Sequence, residues 1–355
     1  MRKQPEKHTL TEHRLHTHHL LDPGFPDPAA AVAHFGAVQA QDMYGSLLAL
    51  GLRVAWATEA SVEVAVAEGS IVKTWPLRGT IHFVAPEDVR WMLALSAART
   101  VRGMAGRLRQ LELGDADFAR AGEALVAALA GGRRLERHAA YAVVDAAGVS
   151  TEGQRGIHVL QRLALDGLLC FGPREGKQPT FILLDEWVPA GRELPRDAAL
   201  AELARRYFTS HGPATLADYT WWSGLTAAEA RAGLEEVKGE LERWEVEGQS
   251  YWLKPAGSLP ALQGAVGHLL PVYDEYTVAY RDRSAILAAE FAERPDAGNG
   301  IFRAPILIDG HIVGTWTRAP KKDRVVVTPN LFRSLSEAEK SALEEAVGRH
   351  GVYLS

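Results

Sequence analysis

Two neutral carboxamides stand two residues apart in Gln39-Ala40-Gln41, and a carboxylate follows directly in Asp42. Glutamine cannot deprotonate water appreciably, so the chemistry open to such a pair is placement. One water is aimed, and developing positive charge is met by fixed dipoles. Both side chains must then lie on one side of the backbone. Residues i and i+2 diverge on a helix and align on extended chain, so a helix preceding Gln39 has to end or distort by that residue. Otherwise the two amides are surface or capping groups. Asp42 lies one place beyond the pair and is a reserve carboxylate that a backbone bend would bring near the same water.

Other catalytic patterns fail on spacing. The stretch Gly172 to Gln178 has Gly and Lys but lacks the four-residue gap and following hydroxyl of a phosphate loop. No Gly-x-Ser-x-Gly elbow occurs. His8, His13, His16, His18 and His19 form no His-Glu-x-x-His pattern, so exposed or packed histidine is expected rather than a metal site. No cofactor is expected. Basic residues gather in two runs: Arg99, Arg102, Arg107 and Arg109, with no acid among them, and Arg318, Lys321, Lys322 and Arg324 around Asp323. Either run can hold a phosphate backbone, and either can be a solvated face.

A chain of 355 residues suggests two or three domains at about 150 residues each. Its 47% hydrophobic and 23% charged residues exclude disordered and collagen-like classes. The formal charge of −5 leaves any attraction to phosphate to local basic surface. Cys170, the single cysteine, fits a reducing compartment and a small buried hydrophobe. The first twenty residues lack an apolar signal-peptide core, and Arg53 interrupts the apolar stretch from Leu47 to Ala57. A cytoplasmic protein without membrane spans is expected.

The elements that would position these groups repeat one grammar three times: three helices, then two short strands around a turn. That is a winged helix. The predicted fold class is α+β, with three tandem winged-helix modules over 1–90, 91–190 and 191–262 and a small C-terminal β barrel with a terminal helix over 263–355. The first module has helices near 9–21, 27–38 and 61–70, with a wing from Val72 to Val84 bending at Arg78-Gly79. The second has helices over 117–130, 135–147 and 154–169, then a wing from Phe171 to Leu184. In the third, Thr226 and Glu229 form a capping box opening a helix to about Gly239, and 244–247 pairs with 251–253. Asp309-Gly310 is a hairpin turn in the barrel, and Ser336 with Glu339 opens the last helix.

Four blocks, in order along most of the chain, carry a family resemblance. Gln39-Ala-Gln-Asp42 through Leu52, Trp75-Pro-Leu-Arg-Gly-Thr-Ile-His82, Gly212-Pro-Ala-Thr215 with Trp222-Ser-Gly-Leu225, and Leu270-Pro-Val-Tyr-Asp-Glu275 resemble the bacterial winged-helix DNA glycosylases of the AlkZ and YcaQ type. The match is to the AlkZ-like branch, with Gln-x-Gln where the YcaQ branch has aspartate last. The resemblance implies three tandem winged helices and a β barrel arranged as a C around a DNA channel. It also implies excision of alkylated bases, including bulky purine adducts and, in some members, interstrand crosslinks. The catalytic role transfers onto Gln39 and Gln41 and onto no acid; Asp42 and Asp274 are candidate supporting carboxylates, and the Tyr273-Asp274-Glu275 block either lines the channel opposite the glutamines or anchors Arg281 or Arg283.

For DNA contact the candidates are Trp75, Arg78, His82, Arg155, Lys177, Arg318, Lys321 and Lys322. Trp75 either stacks or packs. Trp221 and Trp222 are expected in the core. The partner is double-stranded DNA containing alkylated bases, and a tandem-module enzyme of this kind can act as a monomer. Alkylation of guanine at N7 puts positive charge on the departing base, so no general acid is obligatory and two neutral amides suffice. Action on unmodified purines is then expected to be slow or absent. The competing reading is a winged-helix DNA-binding regulator without catalytic activity.

Overall fold

Apolar residues fall into two separately packed sets in the computed structural model, which describes residues 7–188, 191–257, 259–292, 303–321 and 324–354. Compactness groups 1–62 with 200–355 as one unit and 63–199 as the other, rather than following the four expected consecutive segments. The reason lies in the first unit's core. There Leu15 and Leu20 from the start of the chain pack with Leu270, Tyr276, Ile286 and Leu307 from its last third.

In that first unit the helices Lys7–Thr17 and Pro28–Phe35 come first. Asp27 caps the second by accepting from Ala30 N at 2.8 Å, and Gly36, at φ 77°, ends it. A further helix, Met43–Gly51, follows where no helix was expected. It is short and almost wholly apolar, so periodicity gave no amphipathic signal. After Arg196–Ser210, Leu216–Ser223 and Ala227–Val237 comes the two-stranded hairpin Glu242–Val246 with Gln249–Leu253. Thr215 and Thr226 cap the second and third of these helices, the latter with the expected Glu229 box. The order over this stretch is helix, helix, helix and hairpin.

The C-terminal strands correct the expected barrel. Gly267–Leu269, Ala304–Ile308, His311–Lys321 and Arg324–Leu331 form an antiparallel four-stranded sheet, curled as half a barrel, whose first and last strands are its edges. Four short strands do not complete the circuit that removes edges. Asp309-Gly310 makes the hairpin turn as expected, at φ 50° and 79°. Ser336 and Glu339 box the start of Glu337–Tyr353, whose Tyr353 ring occupies the space a Cβ at Gly51 would fill.

The second unit opens with the hairpin Val72–Leu77 and Thr80–Val84, turning at Arg78-Gly79. A 22-residue helix, Val89–Gln110, then carries Arg99, Arg102, Arg107 and Arg109 on exposed positions. Helices Asp115–Leu129, Arg137–Ala146 and Arg155–Leu165 lead into the hairpin Leu169–Glu175 with Gln178–Leu183. The expected helix start at Leu135 is instead a short strand, Leu135–Glu136, pairing with Thr180 and Phe181. Leu125, Leu160, Leu163, Phe171 and Phe181 share one core, and Cys170 is fully buried, its thiol pushed up to about 12 by burial. Phe181 is 0% exposed, so Phe181→Ala is expected to cost about 3–5 kcal/mol. A urea midpoint within error of the wild type would contradict this packing.

Candidate functional site

The helix before the glutamine pair ends at Phe35, the chain is extended over Val38–Gln39, Gln41 lies in a bend, and Asp42 is extended at φ −103°, ψ 120°. Gln39 is 8% exposed and Gln41 is exposed.

One bond that holds this short strand comes from a buried carboxylate. Gln39 N–H donates to Glu275 Oε1 at 2.7 Å, and Trp222 Nε1–H donates to Glu275 Oε2 at 2.9 Å. His211 Nε2 lies 3.3 Å from the same Oε2. Burial lowers the His211 pKa, against the raising effect of Glu275 itself, and its Nδ1 lies 2.8 Å from Ser210 Oγ. Two N–H donors, one on each oxygen, suit an acceptor-only carboxylate. Glu275 is 1% exposed, so solvent does not replace any of these bonds.

Its neighbour Asp274 is also buried, at 0% exposure, and lies in a bidentate pair with Arg53 at 2.9 Å to Nη1 and 2.7 Å to Nη2. Arg53 Nη1 also donates to Ala49 O at 2.6 Å, tying the pair to the helix after the glutamines. Asp274 Oδ1 accepts in addition from Tyr276 N at 2.9 Å. These bonds correct the expectation that Asp274 supports the water: its oxygens are committed to the buried pair and a helix cap. They also correct the alternative of Arg281 or Arg283, since the partner is Arg53, while Arg283 Nε donates to Thr277 O at 2.8 Å. Asp42 caps Met43–Gly51, its Oδ2 accepting from Gly45 N at 2.7 Å.

Arg53, His211 and Trp222 had no assigned role at the glutamines from sequence, and Glu275 was read only as part of the 273–275 block, opposite the glutamines or anchoring an arginine. Arg53 carried a signal, since one arginine inside an apolar run has to find a buried partner. Around them lies a neutral aromatic cluster. His18 Nε2 is 2.8 Å from Tyr280 Oη, which donates to His211 O at 2.7 Å, and Arg14 lies over the Tyr280 ring at 3.7 Å. Burial lowers His18 well below its usual value.

The expected DNA-contact residues divide. Trp75 is 4% exposed and packs on Phe171 at 4.6 Å between ring centres, so it packs rather than stacks on a base. His82 is fully buried, with Nδ1 3.0 Å from Thr80 O, which removes it from a DNA-facing surface. Arg155 donates to Leu111 O, to Glu112 O at 3.2 Å and to Ser150 O at 2.8 Å; its guanidinium finishes the end of Val89–Gln110. Arg78 is half-buried at the hairpin turn, and Lys177 is exposed at the tip of the second hairpin. Arg318 is exposed on its strand with its guanidinium 2.9 Å above the Tyr44 ring. Lys321 ends that strand, and Lys322 lies outside the described residues. Among the described residues no group of three metal-ligating side chains occurs, and no helix is long and apolar enough to cross a membrane.

Glu275→Gln keeps the shape but turns a donor toward donors, and is expected to cost about 2 kcal/mol of stability and to lower activity; an unchanged melting temperature would contradict the clamp. Burial also holds His34, His268 and His350 at about 4, against 6.5 in an unfolded chain. The unfolded state therefore takes up protons first, and stability present above about pH 6.5 is lost as pH falls toward about 4. Melting temperatures that stay flat across that window would contradict this.

Residues 32–353 match the DNA glycosylase AlkZ-like family. The chain is 28% identical over 325 residues to an interstrand DNA cross-link repair glycosylase of Streptomyces sahachiroi, covering 86% of this chain and 85% of that protein. It is similar in structure to the Streptomyces sahachiroi DNA glycosylase AlkZ, with a TM-score of 0.81 at 23% identity, over 99% of this chain and 97% of that one. A mixed fold of helices and a half-barrel sheet and a family match over nine-tenths of the length converge: the chain belongs to the AlkZ-like DNA glycosylases, hydrolases of N-glycosyl bonds in DNA.

Proposed function

We propose that this glycosylase releases alkylated purines, N7-alkylguanine foremost, from duplex DNA by aiming a water with Gln39 and Gln41. The observation that carries the reading is the Gln39 N–H bond to Glu275 at 2.7 Å, which immobilises the backbone beside the carboxamides. N7-alkylation makes the base a cationic leaving group. The protein has then to place water beneath the anomeric carbon and offer dipoles to an oxocarbenium-like sugar. No carboxylate at the pair is free of structural duty, since Asp42 caps a helix and Asp274 pairs with Arg53.

Bulky adducts and interstrand crosslinks fall within the same chemistry, because the leaving base is activated in the same way. The cross-link repair named for the Streptomyces sahachiroi relative supports including them. Arg78, Lys177, Arg318, Lys321 and Lys322 are the proposed phosphate contacts. Family membership favours this reading over a regulator without chemistry.

On duplex DNA containing N7-methylguanine, Gln39→Ala and Gln41→Ala are each expected to slow single-turnover base release by roughly 10²–10³-fold, the range for losing one preorganised donor. Affinity for the duplex should change little. Release at wild-type rate by both variants, or none by the wild type on methyl and bulky adducts, would overturn the reading.

A further inference from the structure

Trp56 is 99% exposed, an unusual placement for the largest apolar side chain in the code. Its backbone sits in the left-handed region at φ 58°, where a bulky residue is strained and glycine is not. Neither packing nor backbone preference accounts for tryptophan here.

The turn that carries it is nevertheless held firmly. Ala55 N donates to Phe25 O at 3.0 Å, Phe25 N to Arg53 O at 3.3 Å, and Ala57 N to Val54 O at 3.4 Å. The Phe25 ring in turn rests on His19 and His34, at 4.2 Å and 5.1 Å between ring centres. Three residues before Trp56, Arg53 is locked to Asp274, whose neighbour Glu275 holds the Gln39 strand. The indole thus projects from a frame tied through buried ionic bonds to the proposed site. Ala55, Ala57 and Thr58 are small and leave both faces of the ring open.

We propose that the Trp56 indole stacks on a nucleobase of the DNA substrate. A base offers a π face whatever its identity, and a preorganised aromatic loses little side-chain freedom in meeting it. A protein partner would call for a contiguous apolar patch, whereas the flanking residues here are small. The inference rests on DNA being the substrate, and not on which side chains aim the water.

The test compares Trp56→Ala and Trp56→Phe with the wild type on duplex DNA containing N7-methylguanine, over a salt series, with 2-aminopurine placed at successive positions near the lesion. Trp56→Ala should bind about tenfold more weakly, within the span expected for one stacked base. Its salt dependence should run parallel to the wild type, because no charge has been removed. Trp56→Phe should keep most of the affinity. A 2-aminopurine signal that changes with the wild type and with Trp56→Phe should be missing with Trp56→Ala. Equal affinity and emission for the alanine variant, or equal losses for Phe and Ala, would overturn the proposal. Gln39→Ala run alongside separates the two readings: it should lose base release while keeping the Trp56-dependent signal.

Discussion

A single buried carboxylate organises the first unit. Glu275 receives a backbone N–H from Gln39 and an indole N–H from Trp222, with the His211 imidazole beside it, groups that come from two distant parts of the chain. Inside protein an anion of this kind is tolerated only when its lone pairs are met, so each donor is held by the cost of leaving it unmet. Asp274 and Arg53 do the same one residue away, in a pair with 0% and 2% exposure. Two adjacent acids thus fix the strand bearing the glutamines and the helix that follows it.

That arrangement separates charge from chemistry. In the proposed reading Glu275 acts on the backbone at Gln39, while the side chains offered to substrate are neutral. Such a division suits the proposed reaction. A cationic base leaving a sugar that itself becomes cationic needs oriented dipoles and one well-placed water, and fixed dipoles require no reorganisation as the charge develops. Rigidity then matters more than basicity. The neutral histidines and tyrosines around His211 serve the same end, since burial suppresses the charge that would otherwise draw water into the cluster.

Much of this was legible in the sequence, and the limits have physical causes. Turn and cap chemistry is local, so the Thr226–Glu229 and Ser336–Glu339 boxes and the Asp309-Gly310 turn could be read directly. The requirement for extended chain at Gln39 also followed from side-chain geometry alone. Long-range pairing is not local: nothing near Asp274 points to Arg53, which is 221 positions away. Burial decided between packing and stacking for Trp75 and placed His82 in the interior, which sequence could not do because a short strand in a sheet core and a wing facing DNA share one composition. Barrel closure was misjudged since strand count does not reveal whether the edges meet. The Val89–Gln110 helix was read only as a run of arginines, and the exposed side of a helix looks like a basic patch when its other side is not recognised.

The central claim is that uncharged carboxamides perform the water placement while every nearby carboxylate is occupied with structure. The pH dependence of single-turnover N7-methylguanine release tests it most directly, with the folded fraction followed in the same samples. Once corrected for folding, the rate should be level through the range where carboxylates titrate. A corrected rate that falls tenfold per pH unit below an apparent pKa of about 4–5 would show an ionised acid at work on the water and contradict the account.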